Sequence, residues 1–248
     1  MRALIRAISF LTILPIGKRR LDIVSEEELA DSMSWFPLAG LIPGFLVFAL
    51  SLLSPSWLPA SVVAFISLVV CVVITGGLHL DGLADWADGL SATSRADILR
   101  IMKDTHTGAF GVSAISLVLL GKYSAIFEII SSRHGLFALL LAPMIARWTL
   151  TLVAVSSPYP RLEGGTGKAF VGQGGWKTIV KATVVILLAA LAAAGLMKGM
   201  IYILAAGCSA WLIRSHSIAR IGGVTGDILG AACELVEVVV LFVAICLE

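Results

Sequence analysis

Charged side chains are scarce in this sequence. Only 14% of its 248 residues are Asp, Glu, Lys or Arg, whereas 58% are hydrophobic and the mean hydropathy is +0.99. Soluble domains carry about 25% charge, so the composition excludes one and requires a bilayer as solvent. Cysteine is sparse too. Cys71, Cys208, Cys233 and Cys246 lie inside apolar runs without C-x-x-C spacing, which argues against a zinc site or a disulfide framework and makes them small core residues. A formal net charge of +2, with no basic stripe interleaved with aromatics, excludes nucleic acid as a partner. No Ser-His-Asp order, dinucleotide fingerprint or metalloprotease helix motif occurs. Gly164-Gly165-Thr166-Gly167-Lys168 is not a P-loop: Leu162 stands where the first glycine belongs, Ala169 follows the lysine, and no strand precedes it. It reads as a flexible loop able to close over substrate.

What is abundant is apolar sequence in runs of helix length. Crossing about 30 Å of hydrocarbon takes roughly 20 apolar residues as a helix, and only helices and closed barrels satisfy the backbone there. Seven segments qualify, at 36–54, 60–79, 109–130, 135–155, 178–197, 199–213 (marginal) and 228–247. The expected fold class is all-α: a polytopic integral membrane helical bundle of about six or seven transmembrane helices, one domain spanning 1–248. Residues 1–34 precede the first span. Arg2 and Arg6 stand one turn apart on a short apolar segment that ends at Pro15 with no small-x-small cleavage site, which predicts an interfacial helix and not a removed signal. Ser25-Glu26-Glu27-Glu28 is a capping box opening a short polar helix to about Met33.

Polar loops are expected at 80–108, 156–177 and 214–227. If these and the N-terminus share a side, that side holds Arg2, Arg6, Lys18, Arg19, Arg20, Arg95, Arg100, Lys103, Arg161, Lys168, Lys177, Lys181, Arg214 and Arg220, against Arg133 and Lys198 opposite. The positive-inside rule then puts the polar side in the cytoplasm, the inner membrane of a cell being the expected location. Lys122 and Arg147 fall within spans, where cations face the bundle interior or a wet cavity unless they snorkel.

Three constellations could carry chemistry. In Gly76-Gly77-Leu78-His79-Leu80-Asp81-Gly82-Leu83-Ala84-Asp85-Trp86-Ala87-Asp88-Gly89, a helix would hold Asp81, Asp85 and Asp88 within about 60° of one face. Like charges so placed repel. A hard divalent cation removes the conflict, and oxygen ligands favour Mg²⁺ or Mn²⁺ over zinc; a solvated helix end is the plain alternative. Gly82 and Gly89 would let a phosphate-bearing ligand approach the backbone. His79, on another face, either bonds a phosphate or sits at the interface. In Ile101-Met102-Lys103-Asp104-Thr105-His106-Thr107-Gly108-Ala109-Phe110-Gly111, Lys103 could neutralise phosphate, and Asp104 could complete a metal site, act as a base, or simply cap a helix. Arg220-Ile221-Gly222-Gly223-Val224-Thr225-Gly226-Asp227 is a glycine-rich turn before a helix, the form of an anion cradle; Glu234, inside the last span, lies near the face of Asp227. Acid-rich loops on one membrane face favour phosphoryl transfer, which needs metal ions, cations and positioning.

Together, G-G-L-H-L-D-G-L-A-D-x-x-D-G, I-M-K-D-x-x-x-G-A-F-G and G-G-V-T-G-D-x-L-G-A-x-x-E resemble the cobalamin (5′-phosphate) synthase family, the adenosylcobinamide-GDP ribazoletransferases. The likeness extends to Phe10-Leu11-Thr12-Ile13-Leu14-Pro15, Phe36-Pro37-Leu38-Ala39-Gly40, and the Glu163-Gly164 loop with Phe170 and Gly172. It implies an integral membrane enzyme, dependent on Mg²⁺, that joins adenosylcobinamide-GDP to α-ribazole or its 5′-phosphate and releases GMP in the last step of lower-ligand assembly. Its acidic motif falls on Asp81, Asp85 and Asp88, its second on Lys103 and Asp104. This chain departs from it at Trp86, where a small or hydroxyl residue is expected, and at Thr105-His106, where serine and arginine are; His106 therefore replaces one expected phosphate contact.

The resulting expectation is that Asp81, Asp85, Asp88 and Asp104 are the catalytic and metal-binding carboxylates. His79, Gly82, Gly89, Lys103, His106, Arg147, Arg220, Gly222, Gly223, Thr225, Asp227 and Glu234 are the candidate substrate-binding residues, and the 5′-hydroxyl of ribazole is the attacking group. Asp85-x-x-Asp88-Gly89-x-x-Ala92 also looks like the opening of the CDP-alcohol phosphotransferase motif, but Thr93 replaces the following arginine. A phospholipid enzyme of that type is one alternative and a cation transporter another, although transport sites belong near the midplane. Plentiful Gly and Ala surfaces leave room for a homo-oligomer.

Overall fold

A computed structural model describes residues 2–16, 25–54, 57–160, 165 and 167–248, so Lys18, Arg19, Arg20, Arg161 and the Glu163-Gly164 pair lie outside the described residues. These residues form ten α-helices, one 3₁₀ turn (Met33–Trp35) and no strand: α1 (Arg2–Leu11), α2 (Glu26–Ser32), α3 (Phe36–Leu53), α4 (Ala60–Thr75), α5 (Leu78–Gly89), α6 (Arg95–Ile101), α7 (Ala109–Ser132), α8 (Leu136–Val155), α9 (Trp176–Ile221) and α10 (Gly226–Cys246). Five helices are long and apolar enough to cross a membrane, or six when α4 and α5, bent by 88° at their junction, are taken as one broken span. Such a set is consistent with a multi-pass membrane protein.

The sequence explains most of these boundaries. Ser25 caps α2 as its capping box predicts, its hydroxyl accepting from the Glu28 N–H at 3.2 Å. Helix α8 is the central rod, with neighbours α3, α9 and α10 and fifteen buried residues. Because lipid offers no hydrophobic drive between helices, close approach comes from small residues. A Cβ at Gly40 or Gly44 of α3 would collide with the Pro143 or Leu140 carbonyl of α8.

Several boundaries depart from expectation. The second apolar run does not continue to residue 79, because Gly76 and Gly77 both adopt left-handed backbone (φ 63° and 70°) and end α4 at Thr75. The expected 80–108 loop is largely helical: α5 buries Leu83, Ala84 and Ala87 within the bundle, and α6 follows. Residues 214–221 likewise extend α9. The expected fifth and sixth spans are one long element broken at Gly195 (φ 76°, ψ 173°). Its second arm folds back, since a Cβ on Gly199 would meet Ala190 at 3.1 Å. Cys208 and Cys246 are exposed on the bundle surface, unlike buried Cys233.

Contacts define two ends of the bundle. At one, Arg133 donates to the Ser51 carbonyl at 2.7 Å and Lys198 pairs with Glu248 at 2.7 Å. At the other, Arg6 pairs with Glu28 at 2.6 Å, and α5, α6 and the α9–α10 turn meet. Arg133 and Lys198 share that end, as the charge pattern predicts, since a Cβ on Gly135, two residues after Arg133, would stand 3.6 Å from Glu248.

Candidate active site

The second end of the bundle encloses a cavity of about 210 Å³. Helix α5 supplies Leu78, His79, Asp81 and Gly82; α10 supplies Gly226, Asp227, Leu229 and Gly230; Phe10, Leu11, Phe36, Leu150, Gly167 and Phe170 complete its wall. Glycine makes the junction possible. A Cβ at Gly82 would stand 2.8 Å from the Asp227 carbonyl oxygen, and one at Gly230 would stand 3.0 Å from that of His79, so α5 and α10 approach backbone to backbone with a carboxylate from each beside the contact. The 167–172 turn is drawn in likewise, with Gly167 against Gly226.

The three aspartates of α5 do different work. Asp81 is exposed to the cavity and makes no ion pair among the described residues. Asp85 is half-buried farther along the helix. Asp88 is buried and accepts the Gly108 N–H at 2.7 Å and the Gly111 N–H at 2.8 Å. These are unpaired donors at the start of α7, where an anion is favoured, so Asp88 clamps α7 to α5. Gly89 packs against Met102 of the following segment; a Cβ there would lie 2.9 Å from its Cγ.

Asp104 is also apart from the cavity. It is exposed, with its Oδ1 2.8 Å from the His106 ring Nδ1 and accepting the His106 backbone N–H at 3.0 Å. These hydrogen bonds, the ring contact foremost, hold its carboxyl below the usual carboxylate range. Lys103 and His106 are exposed on the same stretch. Among the described residues no three His, Cys, Asp or Glu side chains converge on a metal position, so Asp81, Asp85, Asp88 and Asp104 are not a preformed metal cage. What the cavity offers is two carboxylates, Asp81 and Asp227, without a thiol in its wall. Oxygen donors of this kind suit a hard cation such as Mg²⁺, which is bound through one or two carboxylates.

The glycine-rich turn splits in two. Gly222 (φ 79°) ends α9, and Gly223 packs on the Pro158 carbonyl, where a Cβ would collide. The Val224 N–H donates to that carbonyl at 2.9 Å. This half is a tight helix–helix connection, not an anion cradle. Arg220 donates to the Ala92 carbonyl and ties α9 to the end of α5. The other half reaches the cavity: Thr225 caps α10, its hydroxyl accepting from Ile228 N–H at 3.4 Å and donating to Asp227 Oδ2 at 3.1 Å.

Arg147 and Glu234 are elsewhere. Lys122 Nζ lies 2.8 Å from Glu234 Oε2 and 3.0 Å from Glu237 Oε1, and Arg147 Nη1 lies 2.7 Å from Glu237 Oε2. All four side chains are buried. The two cations of α7 and α8 therefore balance the two carboxylates of α10, and the structure brings neither Arg147 nor Glu234 to the cavity. Sequence reasoning missed the cavity's apolar wall: Phe10, Phe36 and Phe170 come from three remote segments, and only the motif likeness touched them.

Comparison with known proteins places the chain in a family. Residues 3–245 match the family described as cobalamin-5-phosphate synthase. The chain is 37% identical over 247 residues to the adenosylcobinamide-GDP ribazoletransferase of Chlorobaculum parvum, covering 97% of this chain and 94% of that one. It is 37% identical to the Syntrophobacter fumaroxidans protein of that name, over 97% of each, and 38% identical to the Pseudomonas savastanoi one, over 95% of each. No solved structure matches. On a match that spans nearly its whole length, the chain belongs to the cobalamin-5-phosphate synthase family.

Proposed function

We propose that this chain transfers the adenosylcobinamide phosphate group of adenosylcobinamide-GDP to α-ribazole or its 5′-phosphate, releasing GMP. The family match over residues 3–245 carries this reading, and the cavity bearing Asp81 and Asp227 supplies a place for it. The reaction breaks the bond between the cobinamide-linked phosphorus and the GMP oxygen and forms one from that phosphorus to a ribose oxygen. We assign the attack to a ribose hydroxyl other than the 5′ one. A product that retains a 5′-phosphate has its O5′ already esterified, so the 5′-hydroxyl of the motif-based expectation is blocked.

Asp81 and Asp227 are the residues that would hold Mg²⁺. Bound there, the ion would supply charge neutralisation that makes GMP a better leaving group. Asp81 accepts the proton of the attacking hydroxyl, while Asp227, anchored by Thr225, keeps its orientation. Lys103, exposed and making no ion pair among the described residues, offsets phosphate charge as the donor enters. The end that holds the cavity faces the cytoplasm of the cell that makes the protein, on the Lys and Arg bias.

The test is to incubate detergent-purified protein with adenosylcobinamide-GDP, α-ribazole 5′-phosphate and Mg²⁺, with and without EDTA, following GMP and corrinoid product. GMP and product should appear together and only with the metal. Absence of both from folded protein, with CMP released from CDP-diacylglycerol, would replace this reading by the phospholipid one.

A further inference from the structure

The cavity's polar and apolar walls are distinct, and the apolar wall is aromatic. Phe10 and Phe170 have ring centroids 4.5 Å apart, Phe36 and Phe170 5.8 Å, and Phe10 and Phe36 6.1 Å, the last pair within 13° of parallel. The rings converge from α1, the start of α3 and the turn before α9. That turn is pinned: the Val171 N–H donates to Gly167 and the Gly172 N–H to Ala154, both at 2.9 Å. His79 lines the same cavity, is 4% exposed, and its Nε2 is buried with no hydrogen-bond partner among the described residues. Buried polar atoms are rarely left so. An unpaired ring nitrogen beside an aromatic wall is what a heterocyclic ligand would complete.

We infer that Phe10, Phe36, Phe170 and His79 form the subsite for the aromatic base of the acceptor, a benzimidazole riboside, and thereby determine which bases are accepted. This rests on the transferase reading above. Size argues for a fragment: about 210 Å³ is below the roughly 300–1,000 Å³ of sites that enclose a drug-sized ligand, enough for a bicyclic base with part of its sugar and too small for a corrinoid. Chemistry chooses the base. Guanine would turn several N–H and C=O groups toward phenyl rings that cannot pair them. A glycosylated benzimidazole has an apolar benzo ring for the wall and a single free ring nitrogen, which an imidazole N–H can satisfy. Seated there, its ribose lies toward Asp81 and Asp227 in the same cavity, where the hydroxyl must react.

Binding of α-ribazole to the full-length, detergent-purified chain, by equilibrium dialysis without donor or metal, reads the subsite directly; GMP release reads the reaction. Base stacking on an aromatic contributes about 1–3 kcal/mol, so Phe170→Leu should weaken α-ribazole binding and raise its KM by about tenfold, while the KM for adenosylcobinamide-GDP stays within about twofold. His79→Gln should weaken binding in the same direction. Unchanged α-ribazole binding in both variants, or a raised donor KM instead, would overturn the inference, and with normal GMP release the transferase reading would survive it. Binding that is lost in the variants, with no GMP from wild type, would leave the subsite standing and remove the transferase. Should Phe170→Leu fail to fold, Phe10→Leu on the half-buried α1 ring answers the same question.

Discussion

Lys122, Arg147, Glu234 and Glu237 lie deep among α7, α8 and α10 and spend their charges on one another, whereas Asp81 on α5 faces a cavity and makes no ion pair among the described residues. Both regions put ionisable groups into a highly apolar chain, where they are costly. In the first the cost is met internally, two cations against two anions, and the product is a cross-link of three helices. In the second a charge is kept available. An ionisable residue inside a membrane protein therefore marks function only after its partners are known.

The difference can be broken from the first side. Glu237→Ala removes the carboxylate shared by Lys122 and Arg147 and leaves buried cations underpaired. Such a break costs about 3–5 kcal/mol, which should appear as a large fall in the unfolding midpoint in detergent. A balanced deletion sharpens the point: Lys122→Met with Glu234→Met keeps the Arg147–Glu237 pair and should cost far less, since replacing a complete buried pair by apolar residues is often neutral or better. Equal losses in both variants would mean that the cluster does more than hold helices together.

Asp88 tests the division within α5. Asp88→Asn keeps the shape but weakens charge-assisted bonds to Gly108 and Gly111, each worth about 1.5–3 kcal/mol. Stability and activity should fall together, because α7 loosens from α5. Smaller again is Gly82→Ala. Its methyl would enter the contact with the Asp227 carbonyl, and overpacking of this kind costs about 1–3 kcal/mol. Activity should drop more than stability, since the two cavity carboxylates are pushed apart. At the lower limit, Cys208→Ala on the exposed surface should stay within about 0.5 kcal/mol of wild type.

These contrasts also explain what could be read from the sequence. The long helices were legible because a bilayer imposes their length, and Ser25 at α2 because a capping box is local. Gly76 and Gly77 were not: a pair of glycines closing an apolar run reads as its continuation, and only their left-handed backbone turns the chain into α5. The clamp of Asp88 on Gly108 and Gly111 and the pairing of Arg147 with Glu237, ninety residues apart, are products of tertiary packing that no spacing announces. The Asp motif was found, yet its three members have three environments, since one helical face at a bundle edge runs from cavity to core. The aromatic wall has no periodic signature at all.

The central claim, that Asp81 is the carboxylate kept for chemistry, is tested most directly by the rate of GMP release from adenosylcobinamide-GDP in the Asp81→Asn variant at saturating α-ribazole 5′-phosphate and Mg²⁺. Loss of a positioned base lowers a rate by about 10²–10⁴-fold. The account predicts a loss of that size with the unfolding midpoint unchanged. A rate within about twofold of wild type in a folded variant would contradict it.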